Sequence, residues 1–180
     1  MTQIEGDNIM KGSVISSWKD FITEKKGKKF WDEILEEAGL QHKVILASSD
    51  FEDEKAAKIL GIAAKKMNIP VAKLANELGE YWVLVSTQKL YSSYYRKYKQ
   101  LKDFILAMDN IHVEITNSVK NAKPPRFKYK WINESTLEME YISHRKMMDY
   151  LLGTLKGSSK YYDTPIRLRQ IGTNKVVITF

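Results

Sequence analysis

The chain has 180 residues, which is the size of a single domain that can bury its own core. It contains no cysteine, and this excludes disulfides, thiolate-bound zinc, iron–sulfur clusters and thiol-based redox chemistry. Lysine and arginine number 29 against 22 acidic residues, giving a net charge of +7. Because basic residues often stand beside acids, charge alone leaves open a solvated surface, a nucleic-acid groove and a site for an anionic ligand.

No run of 18 apolar residues that could span a bilayer occurs in the sequence. The first residues, MTQIEGDNI, are polar and acidic, whereas a signal peptide begins with basic residues followed by an apolar stretch. We therefore expect a soluble, cytoplasmic protein without a membrane association.

The first half of the chain predicts helices. Apolar residues from Val14 to Ile22 follow helical spacing, the pattern breaks near Gly27, and it resumes from Phe30 to Ala38, so two helices are expected. A third helix is predicted after Ser49 or Asp50 as its N-cap.

A fourth helix is predicted to start at Pro70. Gly79 lies inside it, and because glycine weakens a helix interior, this position predicts a kink or a close contact. The polar, tyrosine-rich segment that follows, residues 86–100, is expected to be a loop.

The segment from Leu101 to Val119 carries an apolar stripe at helical spacing, and His112 lies on that stripe. A histidine there is usually a core residue with its hydrogen bonds satisfied, but a neutral imidazole on an apolar face can also be the proximal ligand of a haem. The other histidines, His42 and His144, lie elsewhere in the sequence, so a cage of protein ligands around a metal ion is not expected.

From Pro124 the apolar period changes to two, which predicts a β-hairpin across residues 133–135. Placing charge opposite charge and apolar opposite apolar gives its register. The expected pairs are Ile132 with Thr136, Trp131 with Leu137, Lys130 with Glu138, Lys128 with Glu140 and Phe127 with Tyr141.

The C-terminal segment predicts a helix from His144 and a second hairpin that turns at residues 172–174. The expected fold class is therefore α+β. A helical N-terminal subdomain would pack on an α/β subdomain that contains a four-stranded antiparallel sheet.

Three donors at every second position, Tyr141, Ser143 and Arg145, follow the predicted hairpin. They could be a strand end with polar groups in water. They could equally hold carboxylates, because arginine binds a carboxylate through two parallel hydrogen bonds and the hydroxyls add neutral donors.

Four motifs follow one another in the chain, namely the histidine in MDNIHVEIT, the KPPRF segment, YISHR in a Tyr-x-Ser-x-Arg pattern, and MDYLLG. Together they resemble the H-NOX family, haem domains that bind nitric oxide or oxygen and are related to the haem domain of soluble guanylate cyclase. The resemblance runs from Met10 to the end of the chain. It implies an extension over residues 1–9 and a haem-binding domain over residues 10–180.

The resemblance implies a haem b between the two subdomains. His112 would be the proximal iron ligand, and Tyr141, Ser143 and Arg145 would hold the propionates. The remaining implied roles are porphyrin packing by Pro125, Met108 and Val14, and a hinge at Gly79.

The resemblance also implies a distal gas pocket that contains Tyr150, Trp18 and Trp82. Bound oxygen gains more from a hydrogen-bond donor than nitric oxide does, so a phenol at Tyr150 favours oxygen binding. In some oxygen-binding members an asparagine supports the distal tyrosine. The aligned position in this chain is Trp82, so that asparagine has no clear counterpart. Tyr150 could otherwise cap the helix surface with its hydroxyl in water.

The expected function is a haem-based sensor of nitric oxide, carbon monoxide and oxygen, without catalysis of its own. No output domain is recognised, so the resemblance implies signalling to a separate protein such as a histidine kinase or a diguanylate cyclase. A nucleophile paired with a base is not apparent, which argues against an enzyme. The alternative is a basic nucleic-acid-binding module without haem, which would show steeply salt-dependent binding and no chromophore.

Overall fold

A computed structural model describes residues 9–180, so the extension predicted over residues 1–9 lies outside the described part except for Ile9. Most of the first two thirds of the chain is helical, as its periodicity predicts. The α-helices are α1 (Gly12–Lys26), α2 (Lys28–Glu37), α3 (Asp53–Met67), α4 (Val71–Tyr81), α5 (Thr87–Leu90), α6 (Ser92–Lys97), α7 (Leu101–Ser118) and α8 (Met148–Tyr161). The predicted break between the first two helices is confirmed at Gly27, whose φ of +86° suits glycine.

A short two-stranded sheet corrects the predicted start of the third helix. Strand β1 (Ile9–Lys11) pairs antiparallel with β2 (Asp50–Glu52), so Ser49 and Asp50 do not cap α3, which begins at Asp53. The pairing buries Phe51 and joins Lys11 to Asp50 in an ion pair. These contacts hold Asp50 in extended backbone, and the prediction of an N-cap there was wrong.

The tyrosine-rich segment after α4 is helical, and the predicted loop was wrong. A π-helix (Trp82–Ser86) continues α4, and α5 and α6 follow it. Tyr95 in α6 is 5% exposed, and its hydroxyl lies 2.7 Å from the Thr87 hydroxyl of α5. Burial of this ring through contacts with other segments favours the ordered structure.

The C-terminal part contains the predicted four-stranded antiparallel sheet. Its strands are β3 (Arg126–Asn133), β4 (Thr136–Ile142), β5 (Arg167–Ile171) and β6 (Lys175–Thr179), in the spatial order β3-β4-β6-β5. Four of the five predicted pairs are confirmed. The pair of Ile132 with Thr136 was wrong, because a register shift after Trp131 places Asn133 opposite Thr136.

Helix α8 begins four residues later than predicted. Residues 143–147 form an irregular turn in which Lys146 has a φ of +50°, and this backbone cannot belong to a right-handed helix. The helix then packs along α4. The predicted close contact at Gly79 is confirmed, since an added Cβ there would lie 2.1 Å from the Tyr150 carbonyl oxygen.

The two larger of three hydrophobic cores in the described residues correspond to the predicted subdomains, and the fold class is α+β. One core, which includes Trp18, Trp31 and Leu78, fills the space among α1 to α4. The other lies between the sheet and the helices α7 and α8, and includes Leu137 and Leu155. None of the helices in the described residues is long and apolar enough to cross a membrane.

Candidate functional site

A large, mostly apolar cavity lies between the first residues of the described chain, α7, α8 and the hairpin of β3 and β4. It contains about 1460 Å³ of space, part of which is open to solvent. Nine of the residues singled out in the sequence line it, namely Val14, Trp82, Met108, His112, Pro125, Tyr141, Ser143, Arg145 and Tyr150.

His112 presents a neutral imidazole to this cavity. Its Nδ1 lies 2.6 Å from the Pro125 carbonyl oxygen, and because a carbonyl only accepts, Nδ1 carries the proton. Burial lowers the pKa of His112, which favours the uncharged ring. The lone pair therefore resides on Nε2, in the form in which imidazole binds metals.

An ion pair that sequence reasoning missed joins the helix of His112 to the start of β3. The Asp109 carboxylate accepts two bonds of 2.7 Å from the Arg126 guanidinium and one of 2.8 Å from the Phe127 backbone N–H. Arg126 holds the pKa of Asp109 below its usual range. These bonds keep Pro125 beside His112. An aspartate one helical turn before the histidine is the only sequence signal that could have found the pair.

The predicted anion-binding residues come together at one end of the cavity. Tyr141 is buried, burial raises the pKa of its phenol, and Ser143 follows two residues later. Arg145 is engaged by the protein itself. It donates to the Asp53 carboxylate at 2.9 Å, to the Lys123 carbonyl oxygen at 2.8 Å and to the Ile9 carbonyl oxygen.

Those three bonds use three of the five N–H donors of the Arg145 guanidinium. The other two donors have no partner within residues 9–180 and are available to a carboxylate in the cavity. Asp53 was missed in the sequence because it stands 92 residues from Arg145. The same carboxylate also lies 2.9 Å from His144 Nε2.

Tyr150 of α8 lines the cavity and packs against Trp18 of α1, with ring centroids 6.4 Å apart. The Tyr150 hydroxyl and the Trp18 Nε1 are both buried, and neither makes a well-formed hydrogen bond among residues 9–180, although the Trp18 indole N–H is close enough to the phenol oxygen to lower the pKa of Tyr150. Burial raises the pKa of Tyr150 by more than Trp18 lowers it, so the phenol keeps its proton. The hydroxyl is thus not in water. Trp18 does not line the cavity but packs behind the phenol.

Trp82 and Gly79 complete the predicted set. Trp82 opens the π-helix, lines the cavity, and packs against Tyr91 with ring centroids 6.4 Å apart. It offers an indole N–H donor where an asparagine would offer both a donor and an acceptor. Gly79 lies outside the cavity lining and lets α4 approach the backbone of Tyr150.

Ion pairs on the surface support the interpretation that many basic residues belong to a solvated, charge-balanced surface. Lysines on several helices pair with acids, including Lys25 with Glu77 at 3.0 Å and Lys66 with Glu33 at 3.1 Å. On the sheet, Lys175 pairs with Glu138 at 2.9 Å.

Comparison with known proteins identifies the family. A sequence model of the family described as Haem-NO-binding matches residues 11–170. The chain belongs to this haem-NO-binding, or H-NOX, family. Soluble guanylate cyclase gcy-31 of Caenorhabditis elegans is 22% identical to this H-NOX chain over 153 residues. The match covers 84% of this chain and 22% of that protein, so the chain spans about a fifth of its curated relative.

Solved H-NOX structures share the fold. An oxygen-binding H-NOX domain related to soluble guanylate cyclases, solved as its oxygen complex, is 29% identical with a TM-score of 0.78, and the match covers 95% of each chain. An H-NOX protein from S. oneidensis in the Fe(II) ligation state is 16% identical with a TM-score of 0.88. That match covers 94% of this chain and 95% of the other.

The residues present fit the haem that this family implies. The cavity is large and apolar, and His112 offers a neutral imidazole with its lone pair on Nε2. Arg145 and Ser143 provide donors at one end for carboxylates. The buried Tyr150 O–H donates to no group in the described residues, so its proton is available to a ligand.

Proposed function

We propose that this H-NOX chain binds haem b through His112 Nε2 and senses diatomic gases at the other side of the haem. The observation that carries the proposal is the bond from His112 Nδ1 to the Pro125 carbonyl oxygen. It fixes the tautomer, orients the ring, and makes Nε2 a better ligand, as hydrogen bonds to ligating histidines do in other metal sites. Bound there, the haem would supply an iron that takes up nitric oxide, carbon monoxide and oxygen.

The propionates of the haem would be held at the end of the cavity that contains Tyr141, Ser143 and Arg145. The two unused N–H donors of the guanidinium can form charge-assisted hydrogen bonds, which are stronger than those of the hydroxyls. Asp53 keeps the guanidinium in place through a bond of 2.9 Å to its Nε. Pro125, Met108 and Val14 would pack against the porphyrin, since all three line the cavity.

Oxygen binding is proposed from the state of Tyr150. Its hydroxyl is buried and protonated, and its proton is donated to none of the residues that the structure describes, so donating to a ligand costs no existing hydrogen bond. Trp18 behind the phenol limits where it can move. Trp82 contributes an indole to the same gas pocket.

The chain would act as a cytoplasmic sensor without catalysis of its own. Gas binding would change the strength of the bond between the iron and His112. This would alter the contact of the haem with Pro125 at the start of the hairpin and shift α4 about Gly79. A switch of this kind requires a ligand that binds one of two conformations more tightly. The receiver would be a separate signalling protein such as a histidine kinase or a diguanylate cyclase.

Absorption spectroscopy tests the proposal. Purified protein titrated with haemin should develop a saturable Soret band at one haem per chain. After reduction, that band should shift with carbon monoxide and with nitric oxide. The absence of a Soret band in protein supplied with sufficient haem would refute the haem sensor.

A further inference from the structure

One edge of the four-stranded sheet is covered and the other is open. At β3, the Phe127 backbone N–H donates to the Asp109 carboxylate of α7 at 2.8 Å, and the register shift after Trp131 interrupts the strand. Strand β5 (Arg167–Ile171) pairs with β6 on one side, and within residues 9–180 no strand lies on its other side. Its outward backbone groups can therefore pair with an added strand.

The side chains of β5 give this open edge a positive charge on one face. Leu168 packs against the core beneath the sheet, whereas Arg167 and Arg169 are exposed on the outer face. Neither arginine forms an ion pair or hydrogen bond with another part of the described chain. On the same face, Glu138 is already paired with Lys175 at 2.9 Å. The edge therefore favours a strand that carries carboxylates at every second residue.

A second copy of this chain does not suit the edge. If β5 paired along its full length with β5 of another copy, the antiparallel order would place Arg169 directly opposite Arg169. Like charges directly opposite each other destabilise a strand pair. The two arginines thus disfavour self-association while leaving the backbone of the edge open to an acidic partner.

The outer face is also poorly suited to nucleic acid. A phosphate backbone lying across it would meet Glu138 and Glu140 of β4. An added strand would lie beyond β5, and because β6 separates β5 from β4, those acids are roughly 10 Å from β5 itself. Carboxylates on an added strand would therefore meet the arginines first.

We propose that β5 is a docking edge for a partner protein and accepts an extended acidic segment as a fifth strand. The segment would carry aspartate or glutamate opposite Arg167 and Arg169, and an apolar residue opposite Leu168. In such strand addition, main-chain hydrogen bonds supply affinity and the alternating side chains supply specificity.

The edge is directly connected to the elements of the candidate site. Residues 162–166 join β5 to α8, which carries Tyr150, and β6 lies between β5 and β4, which carries Tyr141. A segment bound to β5 would thus contact the subdomain that holds the haem. Strand addition itself goes beyond the proposed function, and only its use by a gas signal rests on that function.

A labelled nine-residue peptide of alternating glutamate and valine tests the edge in the haem-loaded protein. It should bind in an anisotropy titration, and at saturation it should slow amide hydrogen exchange in residues 167–171. A lysine–valine peptide of the same length should bind roughly tenfold more weakly or worse. So should a glutamate–valine peptide N-methylated at every residue, because it keeps the charge but has no main-chain donors.

Charge reversal locates the binding surface. Arg167→Glu combined with Arg169→Glu should invert the preference, so that the lysine–valine peptide binds more tightly than the glutamate–valine peptide. Both arginines are exposed, and the fold does not depend on them. Arg96→Glu combined with Lys99→Glu is the matched control, because it changes the net charge equally at exposed residues outside the sheet and should keep the original preference.

Three results would overturn the proposal. The first is unchanged exchange in residues 167–171 at saturating glutamate–valine peptide. The second is equal affinity for the N-methylated peptide, which would show attraction by charge without strand addition. The third is a duplex DNA that displaces the peptide and slows exchange in β5 at a lower concentration, which would assign the edge to nucleic acid. Peptide binding does not depend on a Soret band, so failure of the edge and failure of the haem sensor are distinguishable.

Discussion

Replacing Gly79 by alanine tests the close packing of α4 on α8. An added Cβ at Gly79 would lie 2.1 Å from the Tyr150 carbonyl oxygen and 3.0 Å from the Thr154 backbone nitrogen. The first distance is about 1 Å inside ordinary contact, and neither neighbour is a side chain that can rotate away. The helices must therefore separate.

The same substitution at Gly61 is a matched control. Gly61 also lies inside a helix, but an added Cβ there meets nothing within 4 Å. Alanine at Gly61 should therefore stabilise the fold by about 1 kcal/mol through helix propensity alone. At Gly79 that gain is offset by an overpacking cost of about 1–3 kcal/mol or more, and because the clash is with backbone we expect the upper end.

Thermal unfolding followed by circular dichroism measures both effects. For a chain of this size, 1 kcal/mol corresponds to a shift of about 2–4 °C in Tm. Gly61→Ala should melt about 2–4 °C above the wild type, and Gly79→Ala several degrees below it. A Gly79→Ala protein that melts as high as Gly61→Ala would refute the packing argument.

Three further predictions concern the site. Arg145→Ala should lose haem faster than Ser143→Ala during transfer to apomyoglobin, because charge-assisted bonds are the stronger ones; equal loss rates would contradict the ranking. Reduced protein in air should give a six-coordinate oxygen spectrum that Tyr150→Leu abolishes, whereas an unchanged five-coordinate spectrum in the wild type would show that the phenol does not stabilise oxygen. Asp109→Asn should destabilise the fold by about 1 kcal/mol at pH 7, since Asp109 is partly exposed in its pair with Arg126. Because the folded pKa of Asp109 is lowered, the difference from wild type should shrink as the pH falls below about 4, and a pH-independent difference in urea unfolding would contradict the ion pair.

The sequence predicts those features whose signal is local. The stripe that carries His112 and the alternation that sets the register of the first hairpin both report burial of one face, and four of its five expected pairs are confirmed. The fifth pair, Ile132 with Thr136, was wrong because the register shift after Trp131 leaves no pattern in the residue types. The four ordered motifs likewise predict the family to which the chain belongs.

The features that were missed depend on residues distant in sequence. Strand β2 displaces the start of α3 because it pairs with β1, about 40 residues earlier. The tyrosine-rich segment is helical because Tyr95 is buried against Phe104, with ring centroids 4.7 Å apart. The bond between Asp53 and Arg145 joins residues that no periodicity connects.

The central claim is that His112 Nε2 holds the haem, and the most direct measurement compares the wild type with His112→Gly. The glycine variant opens a space the size of imidazole next to Pro125. In the absence of oxygen, ferrous wild type should show a five-coordinate spectrum with a histidine ligand, His112→Gly purified without imidazole should lose it, and adding imidazole should restore it. A His112→Gly protein that keeps the wild-type ferrous spectrum without imidazole would contradict the account.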